Sequence, residues 1–201
     1  MSGFDDKKIS IKKAAKKVFA KFGYQKTTLE DIANLIGIKK NSLYYYFESK
    51  EDLFNQIMVE TSEYLYNHLV TELGKVVTNK EKLRFFILYH TNKINVDDAM
   101  NEATISAMVE IGSIVEESYT HFIDKFKDVC RKILSEGIKT GEFKEVDANE
   151  ISELIFETIR GYECKFLKKQ NHLEMFSEMD RNELKNDLNQ FYKIVIMAIK
   201  K

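Results

Sequence analysis

The most constraining feature of this sequence is a residue that it lacks. No proline occurs in 201 residues, whereas average usage of about 5% would give about ten. Proline ends helices and marks the turns of β-rich folds, and only eight glycines are present to take its place. The chain therefore favours long helices over a turn-rich β sandwich, and an all-α fold is expected.

Composition excludes several other classes of protein. Hydrophobic residues make up 44% and charged residues 31% of the chain, which is typical of a globular protein. No apolar run approaches the ~18–20 residues of a membrane span, and the first residues contain no apolar signal segment. The two cysteines, Cys130 and Cys164, lie far apart in helical patterns, so neither a disulfide framework nor a zinc knuckle is supported. We expect a cytoplasmic protein without a cofactor.

Charge is distributed unevenly along the chain. Residues 1–50 carry eleven lysines and five acidic residues, whereas the remainder is net acidic and the whole chain has a formal charge of −1. A basic segment on an acidic body suggests that one end meets a polyanion. Charge alone leaves open the alternative that these lysines only solvate helix faces.

Two short helices follow a longer one in this basic segment. Apolar residues at helical spacing predict a helix over 9–22, with lysines 12, 13, 16, 17 and 21 on its solvated face. The predicted buried face carries Ile11, Ala14, Ala15, Val18, Phe19 and Phe22. Thr28 is a natural N-cap, and Asp31 stands three residues later as in a capping box. Gly37 then separates this helix from a second short segment over 39–47, in which Leu43 and Phe47 form the inward pair. Two short helices joined by a glycine turn are typical of a helix-turn-helix.

Helical periodicity continues to the end of the chain. Ser49 and Asp52 predict the start of a long helix over 50–73, and further helices are predicted over 80–95, 99–110, 113–136, 148–169 and 180–200. The charge reversal near residue 48 suggests two domains, 1–48 and 49–201, without a flexible linker between them.

The basic segment resembles a known family in detail. The stretches FAKFGYQKTTLEDIA (19–33), GIKKNSLYYYF (37–47) and SKEDL (49–53) are similar to the DNA-binding domain of TetR-family transcriptional regulators. The resemblance covers about a quarter of the chain, and beyond it only the chain length, the helix count and the Gly-x-x-x-Gly-Glu-Phe turn at 137–143 match. Three successive tyrosines stand where the family often has a small residue or a histidine.

The resemblance implies a helix-turn-helix that binds double-stranded DNA. Its second helix would lie in the major groove, where lysine pairs with guanine and asparagine with adenine. Thr28, at a helix N-terminus, and Lys50 resemble phosphate contacts of the family. We therefore expect these DNA-binding residues: Thr28, Lys39, Lys40, Asn41, Ser42, Tyr44, Tyr45, Tyr46 and Lys50. The alternative is that the tyrosines only close the three-helix core, although helical phasing leaves at least one of Tyr44 and Tyr45 exposed.

The resemblance also implies a helical C-terminal domain that binds a ligand and forms a homodimer through the last two helices. Those helices carry apolar stripes wider than one intramolecular face needs, with extra residues such as Ile194, Ile196 and Ile199. The middle helices are rich in aromatic residues and methionine, which line apolar pockets but also fill ordinary cores. The candidates for binding an unknown, mostly apolar effector are Phe86, Tyr89, His90, Met108, Phe122, Phe126, Phe156 and Tyr162.

We therefore expect a DNA-binding regulator, a repressor that a ligand releases from a palindromic operator. Three other functions fit the sequence less well. A non-specific nucleoid binder is disfavoured by the net acidic body and the paired short helices. An enzyme is not supported, because no phosphate loop, nucleophile elbow or metal motif is present. Glu117, His121 and Asp124 share one helix face, but a solvated charged face explains them better than a metal site. An all-helical protein–protein adaptor without sequence-specific DNA binding is the alternative, although the lysine cluster in residues 1–50 speaks against it.

Overall fold

The computed structural model describes residues 3–91, 116–169 and 178–201. Apart from one isolated bridge between Phe143 and Lys200, the regular structure in these ranges is helical, which confirms the all-α fold. The α-helices are α1 (Gly3–Phe22), α2 (Leu29–Leu35), α3 (Lys40–Leu43), α4 (Lys50–Leu73), α5 (Asn79–Leu88), α6 (Glu116–Lys139), α7 (Ala148–Lys169) and α8 (Glu178–Ile199), with a 3-10 turn at Tyr89–Thr91. No described helix is both long and apolar enough to span a bilayer.

The described chain divides into two compact units, and the division along the sequence falls within α4. Residues 3–62 belong to the first unit, and residues 63–91, 120–169 and 178–201 belong to the second. The core of the first unit includes Leu53, Phe54, Ile57 and Met58, so the first half of α4 packs with α1–α3. The functional boundary expected between residues 48 and 49 precedes this helix and stays a prediction.

Local signals place the helix-turn-helix where the sequence predicts it. Thr28 caps α2, and Asp31 completes the capping box. Gly23 ends α1 with φ 77° and Gly37 ends α2 with φ 68°, a left-handed conformation that a residue with a Cβ rarely adopts. α3 contains only four residues, but bonds from the N–H groups of Tyr46 and Phe47 to the Leu43 carbonyl continue its turns to Phe47.

The second unit is held together by α8, which packs against both α5 and α7. The turn after α6 joins these helices: the Glu142 carboxylate accepts hydrogen bonds from the N–H groups of Asn79 and Lys80 at the start of α5, at 3.0 and 3.1 Å. The Lys144 N–H donates to the Ile199 carbonyl in α8. Cys130 of α6 is fully buried, and this burial raises the pKa of its thiol to about 12.

Four predictions about the helices need correction or lie outside the described residues. α1 begins at Gly3, six residues before the predicted start, because its first turns pack against residues 46 and 47. The sequence predicts that Phe22 is buried, but it is 48% exposed. It predicts that Lys12 is solvated, but Lys12 is buried in an ion pair with Glu60 at 2.5 Å. The helix predicted over 99–110 lies outside the described residues.

Candidate DNA-binding site

The residues expected to read DNA form one surface on α3 and the turn that follows it. Lys39, Lys40 and Asn41 are exposed, and Ser42 is half-buried beside them. Tyr44 is 51% and Tyr45 80% exposed, which confirms that helical phasing leaves these rings in solvent. Such cationic, amide and phenol groups can reach base edges and phosphates in a major groove.

The inward side of the same segment anchors this surface. Leu43 is completely buried and Phe47 is 2% exposed, so the predicted inward pair is confirmed. Tyr46 differs from its two neighbours because it is half-buried and packs against the core of the first unit. The alternative that the tyrosines close the three-helix core therefore holds only for Tyr46. The rings of Tyr44 and Tyr45 are exposed to solvent.

Lys50 links α4 to the loop between α1 and α2. Its ammonium donates hydrogen bonds to the carbonyls of Tyr24 and Thr27, each at 3.1 Å, and lies 4.3 Å from the centre of the Tyr24 ring. An ammonium has three N–H donors. Two hold the loop, so one remains for the phosphate contact that the family resemblance predicts for this lysine.

Tyr24 and Glu51 complete this junction. The Tyr24 hydroxyl donates to the Glu51 carboxylate at 3.0 Å. Burial raises the pKa of Tyr24, and the bond to Glu51 adds to this effect, so the phenol stays a neutral donor. The pKa of Glu51 lies below its usual value, first because of a bond from its own backbone N–H and also because of the Tyr24 hydroxyl. The carboxylate therefore stays charged beside the Lys50 ammonium.

Thr28 has a partner within the protein at the N-terminus of α2. Its N–H and its hydroxyl donate to the Asp31 carboxylate at 2.8 and 2.6 Å, and its hydroxyl oxygen accepts from the Asp31 N–H at 3.2 Å. The anion at this helix N-terminus is thus the protein's own carboxylate. A phosphate contact at Thr28 would have to share these donors, and it stays a prediction.

A second set of candidate residues lies in an aromatic cluster of the second unit. The cluster is centred on Tyr89, whose ring lies 5.9 Å from Phe85, 5.8 Å from His68 and 6.4 Å from Phe126 between ring centres. Phe122 lies 4.4 Å and Tyr66 6.3 Å from Phe126. We name these six residues the Tyr89 cluster.

The Tyr89 hydroxyl is the polar centre of this cluster. It donates to the Leu65 carbonyl of α4 at 2.8 Å and lies 3.0 Å from Nδ1 of His68. Since its proton is used on Leu65, the phenol oxygen accepts and His68 Nδ1 carries a hydrogen. Burial raises the pKa of Tyr89, so the phenol stays neutral in this bond.

The expected effector residues do not all meet in the Tyr89 cluster. Tyr89, Phe122 and Phe126 come together there, and Phe86 is buried nearby in sequence on α5. Phe156 and Tyr162 have the ammonium groups of Lys127 and Lys165 above their rings, at 5.5 and 5.8 Å. The side chain of His90 and all of Met108 lie outside the described residues, and no group of three potential metal ligands occurs among the residues that are described.

Comparison with known proteins decides the family. The family model described as bacterial regulatory proteins, tetR family, matches residues 11–57. The model described as YsiA-like protein, C-terminal region, matches residues 59–193, about two thirds of the chain. The chain belongs to the TetR family. It is therefore a DNA-binding transcriptional regulator, and the adaptor function is not favoured.

Named relatives of this TetR-family regulator are transcriptional regulators. It is 27% identical to the fatty acid metabolism regulator protein of Bacillus subtilis over 154 residues, which covers 76% of this chain and 79% of that protein. It is 29% identical to the HTH-type transcriptional regulator QacR of Staphylococcus aureus over 174 residues, or 83% and 89% of the two chains. The structure of FadR from Bacillus subtilis in complex with stearoyl-CoA aligns with a TM-score of 0.75 and 23% identity, covering 92% and 96%.

TetR-family regulators dimerise, and the last two helices carry apolar side chains that the single chain leaves uncovered. Leu154 of α7 is 59% exposed, and Ile194 and Met197 of α8 are 66% and 72% exposed. Of the three extra apolar residues that the sequence places outside the intramolecular stripe, Ile194 is exposed as predicted. The prediction is wrong for Ile196 and Ile199, which are buried within the single chain. The uncovered residues fit a self-complementary interface.

Sequence reasoning missed three residues that shape these sites. Tyr24 and Lys12 are buried in the first unit, and His68 faces Tyr89 in the second. Their partners are Glu51, Glu60 and Tyr89, which lie at least 21 residues away along the chain. A helical period indicates which face is apolar, but it contains no signal for such distant pairs.

Proposed function

We propose that this TetR-family regulator is a repressor that acts in the cytoplasm on a palindromic operator and that a small, mostly apolar ligand releases it. Two copies of the reading surface would bind two half-sites about one helical turn apart, as a C2 dimer requires. The proposed DNA contacts are Thr28, Lys39, Lys40, Asn41, Ser42, Tyr44, Tyr45, Tyr46 and Lys50.

One observation supports this reading surface above all others. Three exposed polar side chains, Lys39 to Asn41, and two exposed phenols lie on one segment. Leu43 and Phe47 of the same segment, four residues apart, are buried in the core. Exposed rings cost hydrophobic free energy, which contact with thymine methyls and sugars would recover. Because Leu43 and Phe47 fix the backbone of this segment, its exposed side chains lose little positional freedom on binding. They can therefore discriminate between DNA sequences.

Selection of binding sites from random duplex DNA tests the operator. We expect the wild type to enrich a palindrome with two half-sites. Lys40→Ala and Tyr44→Ala should lose this enrichment, whereas Lys132→Ala, at an exposed lysine of the second unit, should keep it. Absence of enrichment by wild-type protein that has been stripped of ligand by refolding would contradict the proposal.

The Tyr89 cluster is the proposed place of effector control. Its rings offer apolar contacts, and the Tyr89 hydroxyl connects them to the Leu65 carbonyl of α4, the helix that also contributes to the core of the first unit. A ligand that moves Tyr89 would change a contact of α4, and it shifts the equilibrium only by its differential affinity for the two states. The named fatty acid regulator and the stearoyl-CoA complex make a long acyl chain the first effector class to test.

Titration of stearoyl-CoA into the operator complex tests this class. We expect release of the labelled duplex, measured by fluorescence anisotropy, with free coenzyme A as the control that lacks the apolar chain. Phe122→Ala should raise the concentration needed for release, whereas Phe22→Ala, at an exposed ring of the first unit, should leave it unchanged. Equal potency of coenzyme A and its stearoyl thioester would exclude the apolar chain as the recognised feature.

A further inference from the structure

We propose that Phe4 is a positioning residue for operator binding, because its ring holds Tyr46 in the orientation from which the Tyr46 hydroxyl donates to a DNA phosphate. This inference rests on the proposed reading surface. It concerns a residue that lies outside the family model, which begins at residue 11.

The first turns of α1 lie against the end of the reading surface. The ring centres of Phe4 and Tyr46 are 4.7 Å apart with an angle of 29° between the ring planes, which is a stacked arrangement. One and two turns further along α1, the ammonium groups of Lys8 and Lys12 lie 5.3 and 5.9 Å from the centre of the Phe47 ring. Phe4, Lys8 and Lys12 are spaced by four residues, so one face of α1 supports both Tyr46 and Phe47.

The exposure of Phe4 shows that burial in the core does not explain why its ring stacks on Tyr46. Phe4 remains 51% exposed, and it forms an outer layer on a tyrosine that is itself only half-buried. Tyr46 also packs against the core of the first unit. Its side chain therefore contacts both Phe4 and the core, while its neighbours Tyr44 and Tyr45 are largely in solvent.

These contacts would fix the direction in which the Tyr46 hydroxyl donates its hydrogen bond to a phosphate. Within the part of the chain that the structure describes, the Tyr46 hydroxyl has no hydrogen-bond partner. Ordering a side chain on binding costs entropy, and a stack that orders it beforehand removes this cost from the binding step. Because the hydroxyl is neutral, its bond to a phosphate releases no counterion, and its loss should leave the salt dependence of binding unchanged.

A double-mutant cycle on the full-length dimer tests the proposal. Operator affinity is measured by anisotropy for the wild type, Phe4→Ala, Tyr46→Phe and the double variant, at a temperature where circular dichroism shows each to be folded. Stacked aromatic pairs are worth a factor of about two to ten in affinity by double-mutant cycles. We expect Phe4→Ala to weaken binding by about this factor in the wild type but to have little effect in the Tyr46→Phe background. Phe4→Trp should restore binding.

Phe22→Ala is the matched control, because Phe22 stands at the other end of α1 with a similar exposure of 48%. It should bind the operator as the wild type does. Equal effects of Phe4→Ala in both backgrounds would show that Phe4 only stabilises the fold and would overturn the inference, as would wild-type affinity of Phe4→Ala. If wild-type protein itself selects no operator, the proposed function fails first, so the two failures are distinguishable.

Discussion

At the scale of single residues, the close contact between Gly137 and Phe143 shows how one position can determine a turn. The Phe143 N–H donates to the Gly137 carbonyl at 2.9 Å, and the Phe143 ring lies over the place where a Cβ would stand. An added Cβ would lie 2.1 Å from Cδ2 of Phe143. The sequence predicts that Gly137 and Gly141 bracket the end of a helix, and α6 ends between them at Lys139. Gly137 itself lies inside the helix, where the Phe143 ring leaves no room for a Cβ.

Substitution of Gly137 by alanine should therefore destabilise the protein. The buried Phe143 ring would have to move, and overpacking of this kind costs about 1–3 kcal/mol. Gly161→Ala in α7 is the matched control, because no described atom lies within 4 Å of its added Cβ. Alanine there should stabilise the helix by about 0.5–1 kcal/mol. Urea unfolding of both variants measures the difference, and equal effects of the two substitutions would contradict the steric reason.

At the scale of elements, the capping box of α2 makes the helix-turn-helix sensitive to acid. Hydrogen bonds from the Thr28 hydroxyl and then from the Thr28 N–H hold the pKa of Asp31 below its usual value. A carboxyl group with a lowered pKa in the folded state stabilises that state above its unfolded pKa of about 3.9. This stabilisation is lost as the pH falls through the folded pKa.

Asp31→Asn should therefore destabilise the protein near neutral pH, and this destabilisation should shrink as the pH falls and the wild-type carboxyl becomes protonated as well. Urea unfolding at several pH values gives this difference in the free energy of unfolding. Glu30→Gln is the control, because it removes an exposed charge from the same helical turn but none of the hydrogen bonds of the capping box. A constant difference for Asp31→Asn at all pH values would mean that the charge of the cap is not its source.

Elements with local signals were predictable from the sequence, and elements determined by distant contacts were not. α4 begins at Lys50 and ends at Leu73 as predicted, because Ser49 caps its start and Gly74 follows its end. The start of α1 was wrong by six residues because Phe4 finds its partner 42 positions later. Helical phasing identified the exposed Tyr44 and Tyr45, but it could not show that Lys50 also holds the Tyr24 carbonyl.

At the scale of the whole molecule, the apolar residues left uncovered on α7 and α8 should determine the oligomeric state. Ile194→Glu places a charge in the expected interface, where it would be buried without a partner. We expect a monomer by sedimentation velocity at concentrations where the wild type is dimeric. Val77→Glu is the control, since Val77 is 87% exposed in the turn between α4 and α5. A dimeric Ile194→Glu variant would place the interface elsewhere.

Dimerisation also doubles the effect of each lysine on the salt dependence of operator binding. Each lysine–phosphate contact contributes about 0.9 to the slope of log K against log salt concentration. Since a dimer carries two copies, Lys39→Gln should reduce the magnitude of the slope by about two if Lys39 contacts a phosphate in each half-site. Lys132→Gln should leave the slope unchanged. An unchanged slope for Lys39→Gln would mean that Lys39 does not contact a phosphate and instead contacts a base or only solvent.

The rate at which the buried Cys130 thiol of α6 reacts with a thiol reagent reports how often the second unit opens. Thiol reagents attack the thiolate, and burial both raises the pKa of the Cys130 thiol and keeps reagents away from it. In a Cys164→Ser variant, labelling would therefore proceed only through transient opening of the unit. A compound that binds the closed unit lowers the population of the open unit, and it slows the labelling of Cys130 by the same factor. Effectors can therefore be found by their effect on this labelling rate before any operator is known.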